Sequence, residues 1–289
     1  MKTHPCLAPA LAGILMMALA LPSPARAETP LERGTYLMRG IVACGNCHSS
    51  RDAEGKVRPD GELAGGTVFD APVFRAVAPN ITPDRETGIG GWSDEQIIDA
   101  IRNGRRPDGT IIGPPMPIEF YREISDGHVH ALVAYLRAVP PVRHKVEKSV
   151  YKIPLPPGYG PPVTTVAEVP RGDKLAYGHY LASALGHCLE CHTPRGPDGR
   201  LQMAKLGAGG QEIGIPWGGG LVMTSNLTAA NPHGIANWSD QQVKDAIRTG
   251  ERPDRPLVRL MAFDWYRSIS DADLDALVAY LRSLKPAMP

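Results

Sequence analysis

Two pentapeptides in this sequence carry recognisable chemistry: Cys44-Gly45-Asn46-Cys47-His48 and Cys188-Leu189-Glu190-Cys191-His192. In each, two thiols three residues apart are followed at once by an imidazole. Thiols at that spacing can each add to one vinyl group of a haem, and the adjacent His can offer its imidazole to the iron, which is the attachment signature of haem c. A zinc half-site or a redox dithiol also uses Cys-x-x-Cys, but neither calls for a His directly after the second Cys. The sequence therefore predicts two covalently bound haem c groups on Cys44, Cys47, Cys188 and Cys191, with His48 and His192 as iron ligands.

The second axial ligand separates an electron carrier from an enzyme. An iron held by His and Met is closed and has a raised potential, whereas an open iron can bind peroxide or oxygen. Beyond residue 27, Met occurs at 38, 116, 203, 223, 261 and 288, and only Met116 and Met261 occupy equivalent places, 72 and 73 residues after the first Cys of their motifs. Met116 sits in Gly113-Pro114-Pro115-Met116-Pro117, a stiff loop without helix or strand potential, whereas Met261, in Val258-Arg259-Leu260-Met261-Ala262, lacks the prolines. The plainer alternative for either is a Met filling a gap in the core. Rival ligands are His128 and His130 in the first repeat and His179, His187 and His233 in the second. None has a His partner in the other repeat, and they read as surface histidines. His128 and His130, two apart on a helix, point to different faces.

The elements that must position these residues are duplicated. Residues 124–137 and 269–282 share ten of fourteen identities, and Trp92-Ser93-Asp94 recurs as Trp238-Ser239-Asp240. Such a repeat predicts two homologous domains, 28–138 and 173–289. Between them, residues 139–172 hold eight prolines, which predicts an extended, semi-rigid linker serving as a strap or as a plain spacer. Helices are predicted over 31–42, 94–102 and 126–138, and again over 174–185, 240–248 and 271–283. Ser93 with Gln96 and Ser239 with Gln242 form capping boxes, and Ser125 and Ser270 are expected N-caps. Leu132, Val133 and Leu136, like Leu277, Val278 and Leu281, form an apolar stripe. Gly34 and Gly178 would let the first helix of each repeat approach the last, with Tyr135 and Tyr280 as the contact or as core aromatics. The expected fold class is all-α.

Composition narrows the function. The 289 residues carry a formal charge of +1, with no basic excess of the kind that binds phosphate backbones. Lys2, the apolar run over 7–20 and Ala25-Arg26-Ala27 predict a signal peptide over 1–27, export to the periplasm and a mature chain of charge −1 beginning at Glu28. The run is too short to span a bilayer, and no later segment is expected to. Removing 1–27 takes away Cys6 and leaves four Cys in two clusters, which argues against a disulfide framework. The glycine runs at 207–210 and 218–220 lack the setting of a phosphate loop. Arg102 and Arg248, or Trp92 and Trp238, could pair with haem propionates; alternatively, the arginines form a solvated face and the tryptophans are core rings.

Asn80-Ile81-Thr82-Pro83-Asp84, Thr87-Gly88-Ile89-Gly90 and Trp92, followed by Pro115-Met116-Pro117, resemble the cytochrome c subunits of periplasmic alcohol and gluconate dehydrogenases. The resemblance covers nearly the whole mature chain and implies two tandem class I cytochrome c domains. It implies one haem on Cys44, Cys47 and His48 with Met116, and another on Cys188, Cys191 and His192 with Met261. In the second repeat Ser225-Asn226-Leu227-Thr228 keeps the Asn, while Thr-Gly-Ile-Gly becomes Pro232-His233-Gly234-Ile235-Ala236. Those subunits carry three haem domains and a membrane-associating C-terminus; here there are two motifs, and 284–289 is not expected to anchor. The implied role is electron transfer without substrate chemistry, from a dehydrogenase to a cytochrome or terminal oxidase of the respiratory chain. A mildly acidic surface would favour a basic partner and salt-sensitive association. The competing expectation is a peroxidase-like dihaem enzyme with one open iron, which requires Met261 to be off the metal.

Overall fold

The computed structural model describes residues 1, 26–217, 219–229, 234–253, 256–258 and 260–285. Most of the predicted signal peptide, together with Cys6, His233 and the end of the chain from 286, lies outside the described residues. Among them, no helix is long and apolar enough to cross a membrane.

Five helices in the first half have counterparts in the second. The first set is α1 (Pro30–Met38), α2 (Cys44–His48), α3 (Asp94–Asn103), α4 (Ile118–Tyr121) and α5 (Asp126–Ala138). The second is α6 (Lys174–Tyr180), α7 (Cys188–Cys191), α8 (Asp240–Thr249), α9 (Phe263–Tyr266) and α10 (Asp271–Ser283). Local chemistry sets their ends. Thr29 and Glu32 form a capping box ahead of Pro30 at the start of α1, and Ser93/Gln96 and Ser239/Gln242 do the same for α3 and α8. Ser270 caps α10 by accepting from Asp273 N. Ser125 stands at the N-cap of α5 as expected, but its hydroxyl accepts from Tyr180 Oη and makes no capping bond. The helix expected over 174–185 ends at Tyr180 and continues as a single π-helical segment over Leu181–Leu185, which is fully buried.

The first and last helices of each half cross closely. A Cβ on Gly34 would lie 2.0 Å from Ala131 O, and one on Gly178 the same 2.0 Å from Ala276 O. Only glycine permits that backbone-to-backbone approach, and Tyr135 and Tyr280 flank it.

The fold is not all-α. Helix makes up 34% of the described residues and strand 9%, and the strands form two small antiparallel sheets. β1 (Val68–Ala71) and β2 (Phe74–Val77) make a hairpin around Pro72-Val73, with Val68 opposite Val77, and β3 (Val150–Tyr151) adds to β2. β4 (Glu212–Gly214) pairs with β5 (Leu221–Met223). The physical reason is local. Val68-Phe69 and Phe74-Arg75-Ala76-Val77 are short β-formers bent back by Pro72, too short to show a period beside the helices.

The proline-rich stretch is extended and bound to the first half. Tyr151 Oη donates to Pro114 O at 2.9 Å and Tyr159 Oη to Ile112 O at 2.7 Å. Asp126 N donates to Val166 O at 3.0 Å. The expected strap was one fixing the geometry between the halves; these bonds instead tie the stretch to the first half, across the loop that carries Met116.

The two halves also grip each other reciprocally. Tyr36 on α1 donates to Asp273 Oδ2 at 2.7 Å and accepts from Ser270 N at 3.0 Å, both on the far half. Its equivalent Tyr180 accepts from Ser125 N at 3.1 Å and lies 2.8 Å from His128 Nδ1. Beneath them, Ile41 packs where a Cβ on Gly186 would lie, 2.9 Å from its Cδ1. Leu37, Ile41, Leu181 and Leu185 belong to one continuous core.

Candidate haem-attachment sites

Each Cys-x-x-Cys-His motif begins on a strained residue. Ala43 (φ 46°) and His187 (φ 38°) are left-handed non-glycine residues directly before the first Cys of each motif. Such strain persists only where surrounding packing over-determines it, and it concentrates at functional sites. The turn then coils into α2 or α7, which brings both thiols to one side. All four cysteines are unbridged and partly exposed.

The imidazoles are fixed by backbone carbonyls. His48 Nδ1 lies 2.9 Å from Pro79 O and His192 Nδ1 lies 2.7 Å from Ser225 O. That bond places the proton on Nδ1 and leaves Nε2, which has no hydrogen bond among the described residues, as the free lone pair. The residue after each carbonyl is an Asn that shapes the turn. Asn80 Oδ1 accepts from Thr82 N and Oγ1 at 2.9 and 2.8 Å, and Asn226 Oδ1 accepts from Thr228 N and Oγ1, both at 2.7 Å. A second brace follows. Gly65 N donates to His48 O at 2.7 Å and Gly209 N to His192 O at 2.8 Å. Both glycines are left-handed, and a Cβ on either would strike backbone at about the same distance, 2.5 Å.

Electrostatics agree with a neutral donor set. Burial pushes the Cys44 thiol up to about 12 and those of Cys47 and Cys188 up to about 11, and it raises Cys191 as well. A redox dithiol needs the opposite shift. Burial also lowers both imidazoles, against the pull of the Pro79 and Ser225 carbonyls. Among the described residues no group of three or more His, Cys, Asp or Glu side chains is placed to hold a metal ion. Two free thiols and an anchored neutral imidazole in each half are groups that could hold a haem c.

Met116 and Met261 occupy the same backbone position. Met116 O accepts from Ile118 N and Met261 O from Phe263 N, both at 2.9 Å, at the entry to α4 and α9. Loss of the flanking prolines around Met261 does not change that turn. Both methionines are partly buried and pack against the core that Cys44 and Cys188 also touch.

The rival residues are placed otherwise. His128 is not a surface residue: Arg33 Nε donates to its Nε2 at 3.1 Å, and its ring stacks on Tyr180. His179 stands edge-on to Tyr280, and His187 edge-on to Tyr121. Arg102, expected either to pair with a haem propionate or to lie on a solvated face, is 1% exposed, donates to Ile124 O and pairs with Asp126 at 2.7 Å, so it ties α3 to the start of α5. Arg248 repeats this with Ile269 O and Asp271. Trp92 and Trp238 are partly buried against the core. The carbonyls of Pro79 and Ser225 were invisible to spacing arguments. The only signal for them was the repeated Asn-x-Thr that follows each.

No family model matches the chain. It is 33% identical over 284 residues to the fructose dehydrogenase cytochrome subunit of Gluconobacter japonicus, covering 91% of this chain and 54% of that protein. It is 30% identical to the alcohol dehydrogenase (quinone) cytochrome c subunit of Gluconobacter oxydans, over 91% of this chain and 56% of the relative. A diheme cytochrome c-type protein of Cereibacter sphaeroides is 31% identical, with 83% of this chain and 81% of the relative aligned. The chain thus spans about half the length of the two dehydrogenase subunits and most of the dihaem protein. With covalently bound haem c as the cofactor that its donor groups fit, the chain belongs to the family of c-type cytochromes that includes these proteins.

Proposed function

We propose that this protein is a periplasmic dihaem electron carrier that takes electrons from a dehydrogenase and delivers them to a cytochrome or oxidase of the respiratory chain. Its two haem domains are 28–138 and 173–289, joined by 139–172, after a signal peptide over 1–27. Cys44, Cys47, His48 and Met116 hold one haem c, and Cys188, Cys191, His192 and Met261 the other. The observation that carries the reading is the repeated donor set, with each imidazole anchored at Nδ1 and each Met at the same turn.

Bound haem c supplies reversible one-electron chemistry at iron. The chain supplies everything else. The cysteines would fix the cofactor, the Pro79 and Ser225 carbonyls orient the imidazoles that would bind its iron, and the methionines would supply the remaining donor in each half. The strap over 139–172 holds the Met116 loop in place through Tyr151 and Tyr159. The dehydrogenase origin of the electrons is supported by relatives named as cytochrome subunits of fructose, alcohol and gluconate dehydrogenases.

The test is the visible spectrum of the reduced protein before and after carbon monoxide. An unchanged spectrum is expected, with Met261→Ala opening about half of the haem absorbance to the gas. A shift in half of the wild-type absorbance would instead place one open iron in the protein and move a peroxidase-like enzyme ahead.

A further inference from the structure

Aromatic residues of each half are wedged against the attachment motif of the other. Gly45, inside the first motif, lies under the indole of Trp265: a Cβ there would come 2.8 Å from Cζ2 and 3.0 Å from Nε1. Beside it, Asn46 Nδ2 donates to Leu260 O at 3.4 Å, next to Met261. Reciprocally, the ring of Tyr121 stands edge-on to His187, the residue before Cys188, with centroids 5.7 Å apart. Both rings sit on the short helices that begin two residues after the methionines, Tyr121 on α4 and Trp265 on α9. Both are buried, at 4% and 7% exposure.

Side-chain size is exchanged between the halves. At the positions equivalent to Gly45 and Trp265 the other half has Leu189 and Phe120. The half whose motif carries the leucine faces a half with the smaller phenyl at the position of the indole. Packing of that kind transmits a change of one residue to its neighbour, because interiors are close-packed.

We propose that Trp265 on Gly45 and Tyr121 on His187 hold the two attachment motifs edge to edge, and so set the electronic coupling between the cofactors that the motifs carry. The inference rests on the reading that both motifs bind haem. Each transfer moves one electron, so that one centre is oxidised as the other is reduced and no bond is made or broken. Trp265 and Tyr121 are positioning residues: they ligate nothing, and both rings are buried.

The experiment uses the intact two-haem protein and reads circular dichroism in the Soret band, where two haems at short, fixed separation give a bisignate couplet. Haem content per chain is measured alongside by pyridine haemochrome. Wild type is expected to show two haems and a couplet. In Gly45→Leu, which displaces the indole, and in Trp265→Phe, which shrinks it, the couplet should collapse to a single band with haem content unchanged. The double variant Gly45→Leu/Trp265→Phe copies the Leu189/Phe120 arrangement and should recover the couplet. An undiminished couplet in Trp265→Phe, or a double variant no better than Gly45→Leu, overturns the inference. A wild-type protein with fewer than two haems overturns the underlying dihaem reading instead.

Discussion

The smallest features that matter here are two asparagine side chains. Asn80 and Asn226 each fold the chain back on a Thr two residues later, and that turn presents the preceding carbonyl to a haem-motif imidazole. Removing the Asn80 amide strands the buried Thr82 N–H, and it leaves the Val142 carbonyl of the strap, which Nδ2 reaches at 2.7 Å, with only the longer bond from the Thr82 hydroxyl at 3.3 Å. Leaving buried polar groups unpaired costs about 1–3 kcal/mol. Asn80→Ala should therefore lower the melting temperature and, by loosening His48, shift the midpoint potential of one haem only. A variant that melts and titrates like wild type would show that the turn holds without the amide. Cys44, Cys47 and His48 were legible in the sequence because their chemistry demands contiguous spacing. The Pro79 carbonyl was not, because a backbone acceptor 31 residues away leaves no mark on residue type.

At the scale of elements, the crossings at Gly34 and Gly178 decide whether each half closes. Alanine is the better helix former by about 1 kcal/mol, so propensity alone predicts stabilisation by Gly34→Ala. The 2.0 Å approach to Ala131 O opposes it, and a backbone oxygen cannot swing away as a side chain does. Overpacking typically costs about 1–3 kcal/mol. Gly34→Ala and Gly178→Ala should both lower the urea midpoint, whereas Gly172→Ala, where nothing lies within 4 Å of the added carbon, should leave it unchanged or raised. Equal midpoints for all three would show that the helices can separate without loss. The long helices were readable because their apolar stripes run for three turns and their capping boxes are local. The strands were not, since four residues with a proline at the bend carry too little period to compete. The helix expected over 174–185 stopped short for another reason: Leu181–Leu185 winds as a π-helical turn that is buried on every side, against α4 of the other half and against α7 and α10 of its own.

For the whole molecule, duplication identifies equivalent residues but not which of them touch. Tyr36 and Tyr180 are equivalent by sequence; only the fold shows that each reaches across to the opposite half. Their partners differ: Asp273 faces Tyr36, and at the equivalent position His128 faces Tyr180. Arg33 Nε donates to His128 Nε2, so the neutral ring carries its proton on Nδ1 and donates to Tyr180 Oη, which in turn donates to Ser125 Oγ. The groups facing the ring are Arg33 from α1, Tyr180 from α6, and Glu168 and Arg171 from the strap. Burial foremost, and then Arg33, lowers its pKa to about 4, with Arg171 adding to the shift and Glu168 opposing it. Protonation at Nε2 would set two donors face to face and break the Arg33 bond. The unfolded chain takes up this proton near pH 6.5 and the folded chain only near 4. Stability from this residue is therefore complete above 6.5 and is lost as pH falls toward 4, at up to about 1.4 kcal/mol per unit. His128→Gln keeps an acceptor for Arg33 and cannot titrate. In urea titrations of the holoprotein between pH 7 and pH 4, the gap in stability between wild type and His128→Gln should shift steadily in favour of the variant as pH falls. Parallel curves would mean that His128 does not couple the joining of the halves to pH.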